Sequence, residues 1–139
     1  MSLLIKSGTL VTAEDVFSAD ILIEGETIAA IGVNLHVPDA EVIDASGRLI
    51  LPGGVDPHVH LDLPMAGTVS SDDHYSGTKA AAFGGTTTVI DFVSQDYPTL
   101  REAVDRLRAK ADQKVAVDYG LHMNITRFDE QVAGEIPCL

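Results

Sequence analysis

The chain has 139 residues, 45% of them hydrophobic, which is enough for a globular domain with a real core. Its net charge of −12, with only 9 basic residues, argues against a nucleic-acid partner because phosphate binding relies on clustered lysine and arginine. No stretch is long and apolar enough to span a membrane, and no signal peptide is evident. With a single cysteine, Cys138, these features favour a cytoplasmic protein.

Short β-type runs separated by turn signals fill the first 52 residues. Glu24-Gly25-Glu26 is typical of a hairpin turn, and Ser7-Gly8 separates two other runs. The runs cover residues 3–5, 9–11, 20–23, 27–31, 41–43 and 48–51. Residues 1–52 are therefore predicted to form a small, mostly antiparallel β unit, part of a sandwich-like domain.

A strand–helix rhythm begins after Pro52-Gly53-Gly54. Strands are predicted at 54–60, 86–93 and 115–123, and the helices between and after them have N-cap signals at Ser71-Asp72-Asp73, Thr99 and Asp129. Successive strand–helix units predict a parallel sheet with right-handed crossovers. Residues 53–139 thus predict an α/β fold, the first three units of a TIM-type (β/α)₈ barrel. Three units do not close an eight-stranded barrel, so the chain is expected to be a truncated part of a longer protein.

The chemistry-bearing pattern is the pair His58 and His60. Residues two apart on a strand point to the same face, so the two imidazoles are placed to bind one metal ion, for which zinc is suited. A lone His-x-His pair is weak evidence, and two packed or exposed histidines are the alternative. Asp56 and Asp62 have the same even spacing, so either is a candidate to orient an imidazole by a hydrogen bond. A turn or cap role is equally consistent.

The residues around this pair resemble a known family. Residues 51–61, LPGGVDPHVHL, resemble the metal-binding first barrel strand of the amidohydrolase superfamily. The segments 4–9, 20–25, 67–73 and 77–88 resemble its dihydropyrimidinase and D-hydantoinase branch in particular.

This resemblance implies a function for the two histidines. His58 and His60 match the ligands of the more buried of two zinc ions, which a carboxylated lysine bridges and two further histidines and an aspartate complete. Such enzymes hydrolyse a cyclic amide, a dihydropyrimidine or a hydantoin, to an N-carbamoyl amino acid, and they are commonly tetramers. The implied partner is therefore a small cyclic amide, with no nucleic acid and no membrane.

The chain offers no good candidate for the bridging lysine that the family pattern implies. Lys79, Lys110 and Lys114 lie in helices or at helix ends and are poor substitutes for the bridging lysine. No catalytic residue is assigned within this chain, and the chain alone is expected to be inactive. Dihydroorotase or allantoinase activity, and a non-catalytic fragment of the same fold, are the alternatives.

The remaining candidates carry weaker signals. Leu63 and Met65 follow the metal strand, and the resemblance implies a loop that gates the substrate's ring substituent; packing at the barrel rim is the alternative. His74 is interpreted as a surface residue and His122 as a packed or hydrogen-bonded strand histidine. Asp91 has two interpretations, facing the site or capping a helix.

Overall fold

The structure is a computed structural model that describes residues 2–139. The chain divides into two compact units, Met1–Pro52 and Gly53–Leu139, each built around its own β-sheet. None of the helices within residues 2–139 is long and apolar enough to cross a membrane.

The first unit contains one five-stranded sheet centred on strand β1 (Ser2–Val11). β1 is antiparallel to β2 (Val16–Glu24), and β2 is antiparallel to β3 (Thr27–Gly32) across the predicted hairpin turn. β1 is also parallel to β4 (Glu41–Asp44) and β5 (Leu49–Ile50), so the unit is antiparallel over most of its paired residues, as predicted, with two short parallel strands beside β1. Strand-forming patterns give no direction, and the connection after β3 returns the chain to run alongside β1. A second sandwich layer is not among the described residues of this unit and stays a prediction.

A β-bulge interrupts β1 where the sequence indicated a turn between two strands. The register of β1 against β2 shifts between Ile5 and Gly8, and Ser7 has a left-handed backbone with φ of 62°. The Ser7 N–H donates to Asp20 Oδ1 over 2.8 Å, and the Leu35 N–H donates to Asp20 Oδ2 over 2.9 Å. Asp20 is buried on β2, so its carboxylate satisfies two backbone donors that the ladder does not.

Asp20 makes the stability of the first unit pH-dependent. Its pKa is held below the ordinary value of 3.8, chiefly by the Ser7 N–H and also by the Leu35 N–H and Lys6, although burial opposes the shift. A depressed folded-state pKa contributes stability that is present above pH 3.8 and is lost as the pH falls through the lower folded value. We expect Asp20→Asn to lower the free energy of unfolding at neutral pH, because an amide NH₂ would face a backbone N–H donor.

The measurement is urea unfolding of both proteins at neutral pH and at successive values below pH 3.8. The difference between wild type and Asp20→Asn should shrink as the pH falls, while Asp15→Asn, at an exposed carboxyl, should change little at any pH. A difference that stays constant across this range would contradict the assignment.

The second unit alternates strands and helices as predicted. Its elements are β6 (Gly54–Val59), β7 (Pro64–Met65), β8 (Thr68–Val69), α1 (His74–Phe83), β9 (Thr86–Ser94), α2 (Leu100–Ala111), β10 (Asp118–Asn124), α3 (Glu130–Glu135) and a 3₁₀ turn (Ile136–Cys138). Strands β6, β9 and β10 form a parallel sheet in the order β10-β9-β6, and β7 pairs with β8 as a separate hairpin. This arrangement confirms a mixed α/β fold, while the closed eight-stranded barrel stays a prediction.

Side-chain caps start all three helices where the sequence placed them. Asp73, Thr99 and Asp129 each accept a hydrogen bond from the backbone N–H three residues further on. The Ser76 N–H also holds the pKa of Asp73 below its ordinary value. Because Asp73 fixes the start of α1, His74 is the first residue of that helix.

The two faces of β9 have different surroundings. Its buried side chains are those of Val89, Asp91 and Val93, and α1 and α2 also bury residues, His74, Thr78, Leu100 and Ala103. The helices therefore cover this face, which we call the helix-facing side of the sheet. Phe92 lies on the other face. Strand β10 begins later than predicted because the Ala116 N–H donates to Thr78 Oγ1 over 2.9 Å instead of joining the sheet.

Candidate metal centre

His58 and His60 bring two ring nitrogens together at the end of β6. Their Nε2 atoms are 3.2 Å apart, and the rings are nearly perpendicular, with an interplanar angle of 87°. Both side chains are exposed, so the nitrogens are accessible from solvent. The separation suits a hydrogen bond between opposite tautomers, and it also suits two ligands of one ion.

A β-bulge at Pro57 decides which face carries the histidines. Asp56 lies opposite Val89 and Val59 lies opposite Asp91, so two residues of β6, Pro57 and His58, face one of β9. Partners across a sheet share a face, and Asp56 and Val59 therefore lie on the helix-facing side. The expectation that Asp56 shares the face of the histidines is wrong, because the extra residue changes the alternation. Asp56 Oδ1 instead accepts from the His58 backbone N–H over 3.1 Å.

The ring of Phe92 packs against both imidazoles. Its ring centroid is 4.4 Å from that of His58 and 5.1 Å from that of His60, with tilted contacts. The sequence interpretation missed Phe92, although the alternation along residues 86–94 with Asp91 and Val93 on the opposite face could have placed it there.

His122 on β10 completes the contacts around Phe92. The two ring centroids are 5.0 Å apart, and His122 Nε2 lies 3.2 Å from the carbonyl oxygen of Pro57, where it acts as the N–H donor. This contact confirms the prediction that His122 is a packed or hydrogen-bonded histidine of the strand. His122 thereby satisfies a carbonyl group at the bulge and ties β10 to the position of His58.

The two imidazoles fit a tetrahedral metal ion as two of its ligands. With zinc–nitrogen bonds of about 2.0–2.1 Å, two nitrogens on one tetrahedral ion are about 3.3–3.4 Å apart, close to the 3.2 Å between the Nε2 atoms. Within residues 2–139 no group of three or more histidine, cysteine, aspartate or glutamate side chains is placed to hold a metal. The described residues therefore provide two of the three or four protein ligands that zinc usually has.

The candidate residues after the pair, Asp62, Leu63 and Met65, have no recorded contact with either imidazole among the described residues. Asp62 Oδ2 is 3.1 Å from Lys110 Nζ, so its carboxylate is engaged with a lysine rather than with an imidazole. Leu63 is half-buried and lines a cavity, whereas Met65 is 62% exposed on the hairpin of β7 and β8. The structure does not bring Leu63 and Met65 together on one pocket wall.

The same cavity contains a histidine that the sequence interpretation placed at the surface. His74 is 3% exposed and its Nε2 lies 3.5 Å from Oδ2 of Asp91, which is also 3% exposed. Both side chains line a cavity of about 200 Å³ together with Leu63 and Tyr97. The surface interpretation of His74 is wrong because the Asp73 cap starts the helix so that its first side chain faces β9.

Comparison with known proteins agrees with this geometry. Residues 49–136, well over half of the chain, match the amidohydrolase family. The chain belongs to the amidohydrolase family. Within that family it is 51% identical over 138 residues to a D-hydantoinase of Geobacillus stearothermophilus and 46% identical over 141 residues to dihydropyrimidinase 2 of Caenorhabditis briggsae.

The match extends to three-dimensional structure. A crystal structure of D-hydantoinase superposes with a TM-score of 0.96 at 49% identity, covering 99% of this chain and 30% of that one. The two sequence relatives cover 99% and 98% of this chain, which spans only 29% and 27% of their own lengths. The chain therefore corresponds to less than a third of these amidohydrolases.

Proposed function

We propose that this chain supplies part of the active site of a metal-dependent cyclic amidohydrolase that opens dihydropyrimidine or hydantoin rings to N-carbamoyl amino acids. The observation that carries the proposal is the convergence of His58 Nε2 and His60 Nε2 to 3.2 Å on one face of a strand end. Ends of parallel strands are where such α/β folds assemble their sites. The names of the relatives supply the substrate class.

His58 and His60 would hold the ion, with zinc as the proposed metal and two ions in the complete site. A bound zinc ion supplies Lewis-acid polarisation of a carbonyl and makes water a nucleophile at neutral pH. Because two imidazoles are fewer than zinc usually needs, the complete site takes further protein ligands.

The residues around the pair hold it in position for that role. Phe92 packs against both rings, and the Pro57 carbonyl, bound by His122, fixes the bulge from which His58 projects. The hairpin after β6 presents the exposed Met65 close in sequence to the metal strand, so we propose that Met65 contacts the ring substituent of the substrate. Leu63 supports the base of the hairpin, where its N–H donates to Ser70 Oγ and its carbonyl accepts from the Ser70 N–H.

A graft tests the proposal. The 139 residues would replace the corresponding segment of the Geobacillus stearothermophilus D-hydantoinase, which is 51% identical to them. We expect the graft to bind zinc and to hydrolyse hydantoin and dihydrouracil, because the replaced segment is 51% identical and a crystal structure of D-hydantoinase superposes on this chain with a TM-score of 0.96.

The controls decide between the alternatives. The His36→Ala graft should stay active, since His36 belongs to the first unit, whereas His58, His60 and Phe92 belong to the second. Faster turnover of dihydroorotate or allantoin would assign the chain to those activities instead. A folded graft that holds zinc and opens none of these rings would contradict the proposed function.

A further inference from the structure

Asp91 and His74 form a buried polar pair on the helix-facing side of the sheet. Each residue is only 3% exposed, and within residues 2–139 neither His74 Nε2 nor Asp91 Oδ2 has a hydrogen-bond partner of normal geometry. The two atoms face one another at 3.5 Å. Burying two such groups costs free energy unless they interact with one another or with a further polar group. A polar pair at this place in the core therefore calls for an explanation beyond packing.

The other oxygen of Asp91 reaches the strand segment beneath the imidazoles. Asp91 Oδ1 accepts from the Phe92 backbone N–H over 2.7 Å, next to the point where the β6–β9 register shifts. Phe92 is the residue whose ring contacts His58 and His60 from the opposite face of the sheet. A continuous set of contacts thus runs from the first turn of α1 through Asp91 and the Phe92 backbone to the two imidazoles.

We propose that Asp91, held by His74, is a positioning residue for the His58 and His60 pair. This inference rests on the proposed function, since it concerns the same metal site. Asp91 touches neither imidazole; it fixes the backbone of Phe92, and the Phe92 ring sets the orientation of both rings. His74 limits the rotation of the Asp91 side chain, so that Oδ1 stays directed at the Phe92 N–H.

His74, where this set of contacts begins, is itself held in place. Asp73 caps α1, and Thr78 Oγ1 donates to the His74 carbonyl and accepts from the Ala116 N–H over 2.9 Å. Thr78 is fully buried. His74 is therefore tied through Thr78 to its own helix and to the segment before β10, and it can act as a rigid support for Asp91.

Three variants of the 139-residue chain separate positioning from general packing. Asp91→Ala removes the acceptor of the Phe92 N–H, whereas Asp91→Asn keeps a carbonyl oxygen at Oδ1. Asp96→Ala is the matched control, because Asp96 lines the same cavity and its side chain makes no hydrogen bond or ion pair within the described residues.

Two readouts are measured on each folded variant. Zinc affinity is measured by isothermal titration calorimetry with zinc chloride, and the imidazole ¹⁵N and ring-proton signals of His58 and His60 are recorded by NMR without metal. We expect Asp91→Ala to weaken zinc binding by about 10-fold or more, as loss of supporting contacts around metal ligands does. The same variant should shift both sets of imidazole signals. Asp91→Asn should retain most of the affinity, and Asp96→Ala should match wild type.

The outcomes distinguish this inference from the proposed function. Unchanged imidazole signals in Asp91→Ala, with unfolding free energy alone reduced, would overturn the positioning role. Equal disturbance by Asp91→Asn and Asp91→Ala would also overturn it, because the asparagine carbonyl should substitute for Oδ1. The graft described above tests the proposed function separately. If the 139-residue chain binds no zinc, the two imidazoles need the further ligands of the complete site to hold the ion, and the metal-free NMR comparison still decides the role of Asp91.

Discussion

Replacing His60 by alanine is expected to lower the zinc affinity of the chain by more than about 100-fold. Loss of a contact that merely supports a ligand typically costs 10–100-fold, and loss of one of two ligands must exceed that range. His58→Ala should have a similar effect, because the two Nε2 atoms lie 3.2 Å apart and bind as a pair. The measurement is calorimetric titration with zinc of wild type and both variants.

His36→Ala is the matched control for this prediction. His36→Ala removes an imidazole of the same type from the other unit and should leave the affinity unchanged. If His58→Ala and His36→Ala weaken binding equally, zinc binds histidines in general and the assignment of the pair is wrong. Non-additivity of the double variant His58→Ala/His60→Ala would show in addition that both imidazoles hold the same ion.

Leu100→Ala is expected to reduce the free energy of unfolding of the second unit by about 2–5 kcal/mol, the usual cost of emptying a leucine site in a core. Leu100 opens α2, is 1% exposed and is among the largest fully buried side chains of the structure. Its backbone N–H also donates to Glu135 Oε2 over 2.6 Å, so relaxation of the helix start around the cavity would disturb the bond to α3. Urea unfolding followed by circular dichroism measures the effect.

Phe83→Ala is the comparison for this prediction. Phe83 is larger than Leu100, but it is 86% exposed at the end of α1, and its removal should change the stability by no more than about 0.5 kcal/mol. A small loss in Leu100→Ala would mean that α2 does not pack against the sheet as described. A large loss in Phe83→Ala would mean that its ring is covered in the folded protein.

The local elements of this fold could be predicted because they depend on neighbouring residues. The caps at Asp73, Thr99 and Asp129 and the turn at Gly25 follow from short-range hydrogen bonds and backbone preferences. The parallel direction of β4 and β5 could not be predicted, because it depends on how the chain returns after β3, which no local pattern encodes.

Prediction of the candidate site was limited by one backbone irregularity and one buried pair. Even spacing correctly placed His58 and His60 on one face of the strand. It also predicted that Asp56 shares this face, which would hold only for a regular strand, and β6 has a bulge at Pro57. His74 looked like a surface residue because polar residues in a first helical turn usually are. Its partner, Asp91, is seventeen positions away in the chain, so the pair exists only once α1 packs on β9.

The extra residue at Pro57 has a consequence for anyone who wishes to move this site to another scaffold. On a regular strand, the side chains at positions 55, 57 and 59 would occupy one surface and those at 58 and 60 the other. The insertion reverses this assignment, so that the histidines lie on the surface shared by Val55 and Phe92. A His-x-His motif transplanted into this strand without the extra residue would point its ligands at the helices. The portable unit is therefore Asp-Pro-His-Val-His with its bulge, in which the extra residue sets the face of the sheet and the histidines supply the chemistry.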